Sequence, residues 1–271
     1  MPGLSNKQGI RYDVVGIGNA IVDVIAMVGD PYLLEQGMTK GSMSLIETER
    51  ALSLTDSLPD RIETSGGSAA NTIAGIASLG GHVAYIGKVA DDPFGHIFTE
   101  GMRGIGVEFH SGSGNGTLPT ARSIVVVTPD AERTMNTYLG VSTHLSLDDV
   151  DDRLVESAAI VYLEGYLFDR DEAKAAFREA ANRAHAAGRV VALTLSDSFC
   201  VDRHRDDFRA LVKDEVDLLF ANEDELNSLY ECDNISESVE LLRRDCHIAA
   251  VTRSTISRSH RLISESRLSA S

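Results

Sequence analysis

Ser65-Gly66-Gly67-Ser68-Ala69-Ala70-Asn71 is the stretch around which the rest of the chain is read. Two glycines stand directly before an alanine-rich run, Ala69 to Leu79, that stops at Gly80-Gly81. Glycine is poor inside a helix but suits backbone that must come close to something. The pattern therefore predicts a tight turn feeding a helix. The first N–H groups of such a helix lack partners within it and lie at the positive end of its dipole. Ser68 and Asn71 are short polar side chains placed to touch whatever docks there. A turn with an N-cap accounts for the same residues without any ligand, and the stretch alone leaves both readings open.

On the N-terminal side, Tyr12 to Ile17 is a short apolar run rich in Val and Ile, which predicts a buried strand. The strand is expected to continue through Gly18-Asn19-Ala20-Ile21-Val22 to Asp23, an isolated acid ending an almost uncharged run, with Asn19 on the same strand. Gly16-x-Gly18 begins a dinucleotide fingerprint, but Ile21 stands where the third glycine belongs. That argues against a nicotinamide-dependent dehydrogenase. Gly41 to Glu47 and Arg61 to Thr64 read as short strands, with a helix near Glu47 to Leu54.

On the C-terminal side, His82 to Val89 reads as a strand and Asp91 to Ile105 as a helix opened by Asp91-Asp92-Pro93. Gly112, Gly114 and Gly116 predict a flexible tip. Ala121 to Thr128 and Glu132 to Tyr138 predict a hairpin across Thr128-Pro129-Asp130-Ala131. These pieces suggest a small β lid, with strands within about 41–64 and 107–139. From Ser146 strands and helices alternate regularly, as far as the strand Ile248 to Thr252. In the helix Asp171 to Ala187, Ala173, Ala176, Phe177, Ala180, Ala181 and Ala184 share one face. Repeated β-α units predict an α/β fold: a doubly wound, mainly parallel sheet with helices on both faces.

Composition narrows the function. The chain has 271 residues, a 43% hydrophobic share and a net charge of −16. So acidic a surface repels phosphate backbones, so no nucleic acid is expected as partner. No apolar run is long enough to cross a bilayer, and Met1 to Arg11 lacks the apolar core of a signal peptide. The expectation is a cytoplasmic protein with no membrane partner. Cys200, Cys232 and Cys246 are too scattered for a disulfide framework or a zinc site. There is no P-loop run and no Gly-x-Ser-x-Gly nucleophile elbow.

With Gly66-Gly67 and Asn71 one helical turn on, and with matching motifs at both ends of the span, the chain from Tyr12 to Ser254 resembles the ribokinase-like (PfkB-type) sugar and nucleoside kinases, nearest their bacterial adenosine-kinase-like branch. The resemblance implies ATP and Mg²⁺ as cofactors and a nucleoside or sugar as the small-molecule partner. It also implies a monomer, or a homodimer through the lid. In the family, the acid matching Asp23 accepts from two sugar hydroxyls, as an ionised carboxylate can. Gly66, Gly67, Ser68, Asn71 and Asn19 would complete that substrate half. Asn222 and Glu225 match the family's Asn-x-x-Glu motif, which positions Mg²⁺ and phosphate, with Glu225 reaching the metal through water. The same pair also has capping-box spacing, and the two roles are compatible. Thr252 resembles a phosphate-contacting threonine. Arg133 in the lid resembles an arginine that closes over phosphates, although a solvated hairpin charge explains it equally well.

One departure stands against this. The family's second signature is Gly-Ala-Gly-Asp at a helix N-terminus, an anion hole followed by the general base. No such run occurs in the chain. Instead Ser254 to Ser271 is serine- and arginine-rich without apolar periodicity, and is expected to be a disordered, non-family tail after a domain spanning 1–253. The expectation is therefore a C-terminally incomplete fold. ATP-dependent transfer to a primary hydroxyl would be impaired, or the chain would be a ligand-binding remnant without catalysis.

Overall fold

The computed structural model describes residues 9–58, 60–113, 118–253 and 261–264. The glycine tip expected at Gly114 and Gly116 lies outside them. The first half runs β1 (Tyr12–Ile17), β2 (Ile21–Met27), α1 (Asp30–Glu35), β3 (Met43–Leu45), α2 (Thr48–Ser57), β4 (Ile62–Gly66), α3 (Ser68–Ser78), β5 (Val83–Val89), α4 (Pro93–Gly104), β6 (Glu108–Ser113), β7 (Ala121–Val127) and β8 (Arg133–Tyr138). The second half runs α5 (Asp152–Glu156), β9 (Ala158–Glu164), α6 (Asp171–Ala186), β10 (Val190–Thr194), α7 (Ser198–Arg203), α8 (Arg205–Asp214), β11 (Leu218–Asn222), α9 (Glu223–Tyr230), α10 (Ile235–Asp245), β12 (Ile248–Thr252) and β13 (Arg261–Ser264).

The main sheet has the order β13-β12-β11-β10-β9-β1-β5-β6. Every neighbouring pair is parallel except β12 with β13. Central strands of such a sheet are covered on both faces and so need continuous apolar runs. β5 is buried at all seven positions, and β1 at all but Asp13. Helices α5 to α10 pack one face, through a core that includes Phe168, Phe177 and Phe208. Helices α3 and α4 pack the other, through Ile73, Phe98 and Met102 against Tyr85. The six α6 residues expected on one face are the ones buried there. On the α3–α4 side Phe220 of β11 keeps 38% exposure, edge-on to Tyr162 at 6.1 Å. Of the stretch after Ser254, four residues form β13 at the sheet edge, antiparallel to β12, and the others lie outside the described residues.

A second sheet, β3-β8-β7-β2-β4, forms the lid and covers its own small core with α1 and α2. Its membership departs from the ranges read from sequence. β2 belongs to it, whereas β6, within 107–139, lies in the main sheet beside β5. Nor do β1 and β2 form one continuous strand. The chain breaks at Gly18-Asn19-Ala20 and passes from one sheet to the other. Glycine is required at this crossing, since a Cβ at Gly18 would come 2.6 Å from the Tyr85 hydroxyl and 2.9 Å from Glu164 Oε2. Asn19 therefore sits in the crossing turn, and Asp23 stands mid-strand rather than at a strand end.

Candidate active site

The crossing turn and the Gly66-Gly67 turn meet over the C-terminal ends of β1 and β9, where ligands of open α/β sheets bind. Gly67 caps α3 with φ +99° and ψ 152°, a conformation open only to glycine without strain. A Cβ there would also approach Asn19 O to 2.9 Å. Among the described residues, the Ser68 and Ala70 amides in this first turn take no protein acceptor, while Ala69 N–H donates to Glu164 Oε1 at 2.9 Å. Ser68 and Asn71 are exposed at the rim.

Asp23 is half-buried on β2, next to β4, and its carboxylate lies directly against the α-carbon of Gly66. Among the described residues it accepts no hydrogen bond. Burial raises its pKa above the usual carboxylate range, and the positive charge of Arg133 pulls it back. The lid thus brings Arg133, at the exposed start of β8, into the electrostatic field of Asp23. Across the lid, Asp23 is in register with Ser123, and Ser123 with Thr137, whose hydroxyls pair at 3.0 Å. Two residues along the same face, Ile25, Val125 and Met135 form an apolar row.

Asn19 is buried to 1% exposure and held on all sides. Its N–H and its Nδ2 donate to Glu164 Oε2 at 2.6 and 3.1 Å. Its carbonyl accepts from the Tyr85 hydroxyl at 2.9 Å, and its Oδ1 from the Ser142 hydroxyl at 2.9 Å. Glu164, Tyr85 and Ser142 were not singled out from sequence. Glu164 carried a readable signal, the same one that marked Asp23: an acid after the apolar run Ala158 to Leu163. Burial pushes its carboxyl above the usual range, and the N–H groups of Asn19 and Ala69 counter this.

The second half of the site lies at the ends of β11 and β12. Asn222 and Thr252 are register partners there, with Thr252 exposed. Asn222 caps α9: its Oδ1 accepts from Glu225 N–H at 2.8 Å, and its N–H and Nδ2 donate to the two Glu225 oxygens at 2.9 and 2.8 Å. Glu225 is buried, which raises its pKa, while the Asn222 N–H lowers it. Because both its oxygens are engaged, Glu225 suits contact with a metal through water rather than direct ligation. Among the described residues no group of three or more His, Cys, Asp or Glu could hold a metal ion. Nor is any helix among them long and apolar enough to cross a membrane. In the sheet order Asn222 stands two strands from Glu164, about 10 Å at ordinary strand spacing.

Comparison with known proteins agrees with this architecture. A family model described as "pfkB family carbohydrate kinase" matches residues 43–253. A solved structure of a probable sugar kinase from Rhizobium etli CFN 42 is 44% identical, with a TM-score of 0.83 over 95% of this chain and 80% of that one. Adenosine kinase from Sinorhizobium meliloti is 48% identical, with a TM-score of 0.82 over 96% and 82%. Probable fructokinase-3 of Arabidopsis thaliana is 27% identical over 151 residues, 55% of this chain and 44% of the relative. The chain spans about half the length of the curated relatives it matches. The mainly parallel sheet, its two helical layers and the lid form the ribokinase-like α/β arrangement expected from the sequence.

Proposed function

Since the chain belongs to the pfkB family of carbohydrate kinases, we propose that it binds a nucleoside or sugar through vicinal hydroxyls and presents a primary hydroxyl to the γ-phosphoryl group of ATP. The observation that carries this reading is the Asp23 carboxylate, half-buried against Gly66 with no protein hydrogen bond among the described residues. An acceptor-only group in that setting suits two neighbouring hydroxyls. The amides of Ser68 and Ala70, without a protein acceptor among the described residues, and the exposed Asn71 and Ser68 belong to the adjoining first turn of α3. Asn19 acts from behind, holding the turn. Arg133, Asn222, Glu225 and Thr252 would face the phosphates, and Glu225 would hold Mg²⁺ indirectly, through water. The metal, when bound, offsets phosphate charge.

A nucleoside is the favoured ligand. The row Ile25, Val125 and Met135 beyond Asp23 is apolar, with Val125 covered and Ile25 and Met135 partly open, so a base would find apolar neighbours there while the hydroxyls of an extended sugar would go unpaired. The likeness to the adenosine kinase, at 48% identity, points the same way.

Turnover is the separate question. No Gly-Ala-Gly-Asp run occurs in these 271 residues. A general base typically contributes about 10²–10⁴-fold, and one anion-hole donor about 10²–10³-fold. This polypeptide is therefore proposed to bind its ligand and to phosphorylate it slowly. Ligand binding without catalysis is the second reading, favoured by that same absent run. The test is calorimetric titration with adenosine, ribose and fructose, followed by an assay with ATP and Mg²⁺. Binding of none of the three refutes the first claim. Turnover equal to that of the same chain joined to a segment bearing Gly-Ala-Gly-Asp refutes the second.

A further inference from the structure

We infer that Glu164 is a positioning residue: its carboxylate clamps the crossing turn at Asn19 to the first turn of α3 at Ala69, and so sets the spacing between Asp23 and the two glycines. The inference rests on the proposed reading of this site as a ligand pocket. Oε2 takes the Asn19 N–H at 2.6 Å and Nδ2 at 3.1 Å, while Oε1 takes the Ala69 N–H at 2.9 Å. These donors belong to separate elements. Asn19 introduces β2, which carries Asp23, and Ala69 is the second residue of α3, two positions after Gly67. A single rigid carboxylate thus bridges the two chain segments that form the pocket.

Three features set this apart from ordinary core satisfaction. Glu164 is 1% exposed, and no cation is within ion-pairing distance of it among the described residues. A buried carboxylate without a counter-ion is costly and is retained only when hydrogen bonds to the charged form are good. The backbone beside it is glycine, since a Cβ on Gly18 would come 2.9 Å from Oε2. And Asn19, which Glu164 holds, is fixed at its remaining atoms by Tyr85 and Ser142. The backbone is therefore shaped to the carboxylate.

The experiment is site-resolved amide hydrogen exchange and calorimetry on the full chain, comparing the parent with Glu164→Gln and Tyr85→Phe. Glutamine has the same shape but presents one donor group where an amide donor must be accepted. In Glu164→Gln, exchange at Asn19 and Ala69 should accelerate about tenfold or more relative to Leu193 in β10, and adenosine should bind about tenfold to a hundredfold more weakly. Binding of a non-hydrolysable ATP analogue should not change. Tyr85→Phe should leave Ala69 exchange unchanged. Acceleration spread evenly over the chain, or unaltered adenosine affinity despite faster exchange at the two amides, overturns the proposal. If Glu164→Gln does not fold, Glu164→Asp replaces it. Its carboxylate is one methylene short, so one of the two amides should lose protection while the other keeps it, and equal protection at both overturns the clamp. Should the parent bind none of adenosine, ribose or fructose, the proposed function fails, and exchange alone then judges the clamp.

Discussion

The Asp23 carboxylate and the Gly66 α-carbon are in direct contact across the β2–β4 pair, so that any side chain at Gly66 would occupy the space of the carboxylate. Gly66→Ala should therefore push Asp23 out of position while leaving both sheets intact. Adenosine affinity should fall about as far as in Asp23→Asn, where an amide replaces one acceptor with a donor at a cost of about 1–3 kcal/mol. Calorimetry with thermal unfolding checks this. An unaltered affinity in Asp23→Asn would remove the residue from the site.

Affinity should depend on pH through Asp23. Only the ionised form accepts two hydroxyl hydrogen bonds, so binding is full above the folded-state pKa and falls as pH drops through it. Burial raises that pKa above the ordinary aspartate value, and Arg133 lowers it. Arg133→Ala removes the lowering influence, so the fall in affinity should move to higher pH. Titrations from about pH 4 to pH 8 span the relevant range. Glu164 is not influenced by Arg133, so the difference between parent and variant reports on Asp23. A fall unmoved by Arg133→Ala would deny the coupling.

Gly67→Ala should act on the fold rather than on one contact. Its φ of +99° lies where a side chain is strained, at about 1–3 kcal/mol, and its Cβ would crowd Asn19 O at 2.9 Å. Urea unfolding should show the loss, and stability equal to the parent would mean that the turn had rearranged.

Asn222→Ala tests whether the capping pair does more than cap. Loss of the N-cap should cost about 0.5–2 kcal/mol. Glu225 then loses the Nδ2 bond and is held only by the Asn222 N–H, so its carboxylate should turn more readily from the orientation proposed to face phosphate. Binding of an ATP analogue with Mg²⁺ should weaken beyond the loss in stability. If only stability changes, Asn222 and Glu225 form a cap and nothing further.

The alternation of strands and helices was legible because each buried strand needs a continuous apolar run and each surface helix an apolar stripe, as α6 illustrates. The Asn222–Glu225 box was legible because local hydrogen bonding dictates its spacing. The break at Gly18 was hidden: an apolar run looks alike whether it stays in one sheet or crosses to another, and only the Tyr85 hydroxyl and Glu164, distant in sequence, reveal the bend. Glu164 is legible as an acid ending an apolar run, but what it holds is not. Its partners Asn19 and Ala69 lie far along the chain, so no local spacing links them. β6 was misplaced because its glycine-rich end looks like lid, whereas its pairing with β5 decides its sheet.

The passage of the chain between sheets also bears on how the molecule comes into being. β2 lies between β4 and β7 in the lid, and Ile21 pairs with Ala121, a hundred residues onward. Closing so long a loop carries an entropic cost that must be met before the pairing repays it. The hairpin of β7 and β8 is local, but β2 can join it only after β5 and β6 have been made. During synthesis, the strand bearing Asp23 emerges well before its β7 partner exists, and the lid sheet is completed late.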